Sequence, residues 1–400
     1  MNVRVTGSAA VITSAFILFL NSHFVSTKSV QISVIDKDNY LLKWPSLALD
    51  SNGYPHLAYC GASYIKYAKW DGSSWRIQVI ESENEGEIDW ASLAIDGKDR
   101  PHIVYGVRRS GENQYALKYA SWSENWKIET IGENLGHWPS IALDSHGVPS
   151  VSCCTYVDGG GCLKYLRIEN GWKIETVDSE YVVYYNCLKL DSKGFAHISY
   201  AARPKENLRA SFLKYAFWDG EGWRTQLVDM EDNNVGGQNS VALDRKGFPH
   251  ISYRNHIKYE LKYAAWDGRS WKIDIVDRVL GAYSSIALDE NDVPYISYFD
   301  GTKVRLAYLG KTGWLVKLID SGGDYGTSIA LDNAGYVYIA YVDNNTTLKL
   351  AKYRVPSEVT KPQITLFVWL LYVGACLAAV LGGLIFYRKV AARRSGSPGT

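Results

Sequence analysis

The sequence has almost no net charge: 43 basic side chains face 42 acidic ones, for a formal +1 over 400 residues. No basic field is available to hold nucleic acid, so that class of partner is excluded. The sequence also has no phosphate-binding loop, no metal-spaced His/Cys cluster and no nucleophile-elbow motif. No catalytic residue, cofactor or metal is therefore assigned. Methionine occurs twice, whereas there are 14 Trp and 29 Tyr. Aromatics of that kind favour strands, and the composition leans all-β before any pattern is read.

Two apolar segments flank the rest. The first has Arg4 as its only charge before the run Ala9 to Leu20, which ends in the polar NSHFVSTKS. That run is short for a membrane span and fits the apolar core of a secretory signal, so residues 1–28 read as a signal peptide or signal anchor. The second, 364–387, carries no charge and is followed by Arg388, Lys389, Arg393 and Arg394. At about 1.5 Å rise per residue it can cross a hydrocarbon core of ~30 Å. The basic residues after it place a 388–400 tail in the cytoplasm and the bulk of the chain outside. The expectation is a single-pass cell-membrane protein, with a short juxtamembrane linker at 356–363.

Between these ends the chain repeats itself. The hairpin WPSLALDSNGYPHLAY returns six times in varied form, marked by Asp50, Asp96, Asp144, Asp191, Asp244, Asp289 and Asp332. A period in the forties, dense in strand-forming residues, points to a β-propeller with one blade per repeat. The first repeat predicts strand a at Ser46–Leu49, strand b at His56–Tyr59, strand c at Tyr64–Trp70 and strand d at Trp75–Ile80. The Asp-x-x-Gly turns between them have a local cause: the carboxylate accepts turn amides, and glycine supplies positive φ.

The seventh repeat ends near Tyr353 without a strand d. The stretch Val30 to Asp36 matches Trp271 to Asp277 and supplies it. An N-terminal strand that completes the last blade removes an exposed edge. The expected architecture is an all-β, seven-bladed propeller of four-stranded blades over 29–355, plus one C-terminal transmembrane helix. Strand polarity sends both chain ends out of one face, and the stretch from Arg354 to Gln363 reaches at most roughly 35 Å. The opposite, outward face bears the d–a and b–c loops.

The ALDSxGxPHIxY hairpin and the WDGxxW turns at Trp70–Trp75, Trp218–Trp223 and Trp266–Trp271 resemble the Asp-box-like (BNR-like) propeller repeats of secreted prokaryotic proteins, often of archaeal surface type. The hairpin also looks like the NHL repeat. The sequence departs from a full S-x-D-x-G-x-x-W box: the upstream Ser is missing, and the turns at Trp122–Trp126, Ile168–Trp172 and Leu309–Trp314 differ further. Sialidases of this broad resemblance carry an Arg triad with a Tyr/Glu pair, and no such set can be placed here.

His56, His102, His197 and His250 share one position at the start of strand b and read as a repeated packing or hydrogen-bonding solution. Ser150, Tyr295 and Tyr338 break the ring that a metal would need. The marker aspartates read as turn caps, since the dense oxygen ligands of a calcium loop are missing. Just ahead of strand a, the aligned residues are Trp44, Trp90, Trp138, Tyr185, Gln238, Tyr283 and Gly326, with Tyr325 beside the last. This places aromatics around the mouth of the central channel, where rings stack on sugar faces or anchor a partner. Inter-blade packing is the plainer role for any single ring. Arg108, Arg203, Arg254, His256 and Arg305 join the candidate rim from neighbouring top loops, together with Arg109, Asp158, Asp300 and Asp343.

Five cysteines precede the membrane segment, and Cys154 with Cys162 is the expected disulfide, flanking one b–c loop. Asn344 and Asn345 begin overlapping glycosylation sequons. The functional expectation is a membrane-anchored extracellular binding or adhesion module for a glycan or protein. The alternatives are an extracellular carbohydrate-active hydrolase or lyase, and a purely architectural role in the cell envelope.

Overall fold

The computed structural model describes residues 29–83, 86–155, 161–324 and 326–356. The expected signal segment, the membrane helix and the basic tail lie outside the described residues, as do Asp158 and Tyr325. Among the described residues no helix is long and apolar enough to cross a membrane.

Seven four-stranded antiparallel sheets are arranged as blades. In blade 1 the strands are Lys43–Leu49, Pro55–Cys60, Tyr64–Trp70 and Trp75–Ser82, hereafter a to d from the channel outward. The seventh blade is completed by Gln31–Lys37, which pairs antiparallel with Thr347–Arg354 in the register Gln31↔Lys352 to Val34↔Lys349. The closing strand thus falls where the repeat alignment put it.

The turns form as the sequence dictates. All seven marker aspartates accept backbone N–H bonds from residues two and four positions on. Asp50 takes Asn52 and Tyr54 at 2.9 and 2.8 Å, and Asp332 takes Ala334 and Tyr336 at 3.0 and 2.8 Å. The repeated histidines are likewise structural. Their Nδ1 atoms bond the hydroxyl of a strand-c tyrosine: His56–Tyr67 at 2.6 Å, His102–Tyr119 at 2.5 Å, His250–Tyr263 at 2.5 Å, and His197–Tyr215. In blade 3 Ser150 takes the same role toward Tyr165 at 2.8 Å.

Three devices join blade to blade. Nearest the channel, strand a carries a serine whose Oγ accepts a backbone N–H from the next blade: Ser46 from Leu93, Ser92 from Ile141, Ser140 from Leu188, and finally Ser328 from Leu47. The last of these closes the circle. Further out, a buried strand-b tyrosine and a strand-c lysine share one carboxylate at the end of the preceding strand d. Asp36 holds Tyr59 and Lys66, Asp178 holds Tyr200 and Lys214, and Asp229 holds Tyr253 and Lys262. On the rim of the disc, a strand-d tryptophan meets the preceding blade's tyrosine edge to face, as in Tyr67–Trp126 at 5.2 Å and Tyr165–Trp223 at 5.1 Å. A buried ion pair is not in itself a large source of stability. Here each pair also satisfies a tyrosine hydroxyl that would otherwise be orphaned between sheets.

The expected Cys154–Cys162 disulfide is not formed; both thiols are free. The ladder is the reason. Cys154 lies opposite Leu163, while Cys162 faces Thr155, whose N–H bonds the Cys162 carbonyl at 3.1 Å. A one-residue offset turns the two side chains to opposite faces of the hairpin. Cys154 is buried, where Asn186 Nδ2 donates to its sulfur at 3.4 Å, and Cys162 sits half-buried beside the Thr155 hydroxyl. Burial pushes the Cys154 thiol up to about 12.

Candidate ligand-binding site

Strand a starts earlier than the sequence suggests, and its extra residues form the mouth of the channel. In six blades the a–b register slips by one residue at the same place, between Lys43 and Ser46 in blade 1 and between His137 and Ser140 in blade 3. Each slip is a β-bulge, a device that re-aims a side chain and is common beside functional sites. The bulged residue has a left-handed backbone every time. The φ values are +54° at Trp44 and Trp90, +46° at Trp138, +47° at Tyr185, +54° at Gln238 and +52° at Tyr283. Blade 7 places Gly326 there, at +68°. Glycine adopts this conformation freely, whereas other residues pay about 1–3 kcal/mol each.

The next residue along holds the strained backbone in place. Asn186 Nδ2 donates to the Trp138 carbonyl at 2.7 Å and Asn239 Nδ2 to the Tyr185 carbonyl at 2.5 Å. Ser284 Oγ reaches the Gln238 carbonyl at 3.3 Å and Thr327 Oγ1 the Tyr283 carbonyl at 2.7 Å. Each blade from the fourth to the seventh thus fixes the rim residue of the blade before it. These four residues escaped the sequence reading. The available signal was a recurrent polar side chain directly after the rim position in the later repeats.

Together the rim and the serines line a shallow, open cup of about 200 Å³, with residues from all seven blades. Every rim side chain is half-buried, so the rings neither vanish between blades nor stand free. Trp90 and Trp138 lie 5.0 Å apart, and Trp138 continues to Tyr185 at 5.2 Å and Tyr184 at 5.3 Å. On the far side Trp44 meets Tyr283 at 5.5 Å.

Charge divides the mouth in two. Beside Trp44 and Trp90 the half-buried charges pair with one another. Lys43 bonds Glu87 and Asp89 at 2.9 Å each, and Arg108 bonds Glu87 at 2.6 Å. Burial raises the Asp89 carboxyl to about 6 despite Lys43 beside it. Burial acts on Glu87 in the same direction, but hydrogen bonds from Arg108, Lys43 and Tyr115 prevail and bring it down to about 2. Beside Tyr185 and Tyr283 stand the cations Arg203 and Arg254, with the neutral imidazole of His256. Arg203 lies 4.5 Å over the Tyr184 ring, and Arg254 lies near Tyr259, Tyr283 and Tyr185. Burial, with Arg254 and Arg203 nearby, lowers His256 to about 4.

Arg305 does not belong with this group. It occupies the strand-c position that Lys66 fills in blade 1, and its Nε donates to Asp300. Asp343 is likewise engaged, by Lys349 at 2.5 Å. No group of His, Cys, Asp and Glu that could hold a metal is found among the described residues.

No protein-family model matches the chain, and no curated protein is similar to it in sequence. Solved structures share its fold. A protein of unknown function from Dyadobacter fermentans is 15% identical with a TM-score of 0.52, over 81% of this chain and 99% of its own. The polysaccharide lyase Uly1 is 10% identical with a TM-score of 0.55, over 78% and 90%. A virginiamycin B lyase from Staphylococcus aureus is 10% identical with a TM-score of 0.53, over 81% and 100%. At such identities the likeness is one of fold, and any activity must be argued from the site.

Proposed function

We propose that the cup is a glycan-binding site and that the protein is a surface-displayed binding module, held to the membrane by 364–387. One observation carries the reading: a left-handed backbone is imposed on five aromatic residues at one position, although glycine serves the same position in blade 7. Strain that recurs with a particular side-chain chemistry supports a role for the side chains themselves. Half-buried rings around a shallow, open cup suit the flat faces of sugars, on which aromatic side chains stack. A polysaccharide lyase among the structures of this fold is compatible with such a ligand.

A hydrolase or lyase would need an accessible acid–base pair. Asp89 is buried on Lys43, and Glu87 is held by Lys43, Arg108 and Tyr115. We therefore favour binding. The test is a glycan array probed with the full-length chain in detergent, beside the Trp44→Ala/Trp138→Ala double variant. Binding lost in a variant that still melts cooperatively supports the cup. Wild-type binding by the double variant overturns it.

A further inference from the structure

We propose that the sector of the mouth formed by blades 4 and 5 is an anion subsite, where Arg254 and Arg203 take the carboxylate or sulfate of an acidic sugar. This rests on the cup being a glycan site, and it names the class of glycan.

Blade 5 is where the aromatic rim is interrupted. Gln238 replaces the ring, and its Oε1 accepts the Tyr283 backbone N–H at 3.2 Å. That bond turns the amide NH₂, a double donor, away from the backbone. Directly before it, Gly237 leaves room for His256: a Cβ there would come within 2.3 Å of the imidazole Nε2. The glycine admits the imidazole, and the glutamine stands where an aromatic ring fills the rim in five other blades.

Arginine stands behind the rings of that sector, near Tyr185 and Tyr283, which themselves line the cup. The Arg254 Nε is buried and has no hydrogen-bond partner, and the guanidinium stands among Tyr185, Tyr259 and Tyr283. Among the described residues neither Arg254 nor Arg203 makes an ion pair. The lysines buried between blades are matched: Lys43, Lys66, Lys118, Lys214, Lys262 and Lys349 each bond one or two carboxylates. A half-buried guanidinium without a counter-ion carries a desolvation cost that an anionic ligand relieves. The guanidinium fork fits the planar pair of oxygens on a carboxylate, or two oxygens of a sulfate. His256 remains neutral near pH 7 and adds a hydrogen-bonding edge, not a charge.

The anion site adjoins the rings and does not replace them. Trp138 and Tyr185 lie on one side and Tyr283 on the other, so a sugar whose face stacks there presents its acidic substituent to blade 5. Nucleic acid and membrane surfaces are disfavoured, because the chain has a formal net charge of only +1 and so offers no broad basic field.

The test is calorimetric titration of the full-length chain in detergent with matched oligosaccharides of neutral galactan, sulfated galactan and polygalacturonate. An acidic fragment should bind at least about tenfold more tightly than the neutral one at low salt, as expected for a charge-assisted contact. Tighter binding by the sulfated or by the uronate arm identifies the anion. Arg254→Gln should bring the ratio of acidic to neutral binding down toward one, and Arg203→Gln, an independent substitution should the first misfold, should reduce that ratio. Equal binding of all three fragments, unchanged by Arg254→Gln, overturns the anion subsite and leaves the glycan cup standing. Binding of none of them overturns both.

Discussion

Trp44 and Tyr283 meet with ring centroids 5.5 Å apart and planes at 70°, although a whole blade stands between theirs. They reach one another because the intervening rim residue is Gly326, whose missing Cβ would lie 3.1 Å from Pro45 Cδ. The two rings therefore span the place where the ring of seven would otherwise be continuous. An edge-to-face pair of this kind contributes about 0.5–1.5 kcal/mol beyond its buried area. A double-mutant cycle of Trp44→Ala and Tyr283→Ala, read by denaturant unfolding, should return a coupling in that range. A coupling near zero would show that the two rings are neighbours without being partners.

Comparing glycine with alanine at one rim position tests the strain directly. Trp138 holds φ at +46°. Trp138→Ala removes the ring and keeps a Cβ in the left-handed region, whereas Trp138→Gly removes the ring and the penalty together. The glycine variant should be the more stable of the two by about 1–2 kcal/mol, and both should lose ligand binding. If alanine proves equal or better, the bulge relaxes when the ring is removed, and the backbone is not being held for the ring's sake.

The parts of this molecule that were legible in the sequence are those set within a few residues. Asp50 and its counterparts announce their turns because the carboxylate bonds amides two and four positions on. The closing strand was legible because Val30 to Asp36 keeps the pattern of Trp271 to Asp277. The bulge at Trp44 was not, because no local preference puts tryptophan into a left-handed backbone. The bonds that hold such a conformation come from the next blade, as from Asn186 to the Trp138 carbonyl 48 positions away. The disulfide was misread for a related reason: nearness along the hairpin says nothing about the one-residue register that separates Cys154 from Cys162. Of the candidate rim, Arg203, Arg254 and His256 come together beside Tyr185, whereas Arg305 is engaged by Asp300.

The inter-blade carboxylates make a prediction about stability. Asp178 Oδ2 accepts from Lys214 at 2.6 Å and from Tyr200 at 2.8 Å, all three residues being buried. Asp178→Leu alone strands a buried ammonium and a hydroxyl, and should cost about 3–5 kcal/mol. Replacing all three members together, with Lys214→Met and Tyr200→Phe, should recover most of that loss. A triple variant no more stable than the single one would mean that the aspartate serves the fold in another way.

The last prediction concerns acid. Six histidines are buried or half-buried and hold their pKa values below the ordinary 6.5: His56, His102, His137, His197, His250 and His256. Burial is the largest cause in each, and His137 and His256, each with arginine nearby, are brought down to about 4. A histidine so depressed is neutral in the fold while its unfolded counterpart already takes up a proton. Its contribution is therefore fully present above pH 6.5 and lost as pH falls toward the folded pKa. Asp89 works in the opposite sense: raised to about 6, it favours the fold at low pH and loses that contribution as pH rises through 6. Against that one carboxyl stand six imidazoles, joined toward pH 4 by depressed carboxyls such as Glu87 and Asp96, which lose their contribution in the same direction. The melting temperature should fall steadily from pH 7 to pH 4. His137→Asn/His256→Asn should flatten the lower part of that decline, below about pH 5.5, where the deepest-shifted pair still differs from the unfolded chain. Asp89→Asn should steepen it, by removing the one group that resists. A melting temperature flat across this range would mean that the imidazoles titrate in the fold much as they do in the unfolded chain. The tight His–Tyr contacts would then open readily to water.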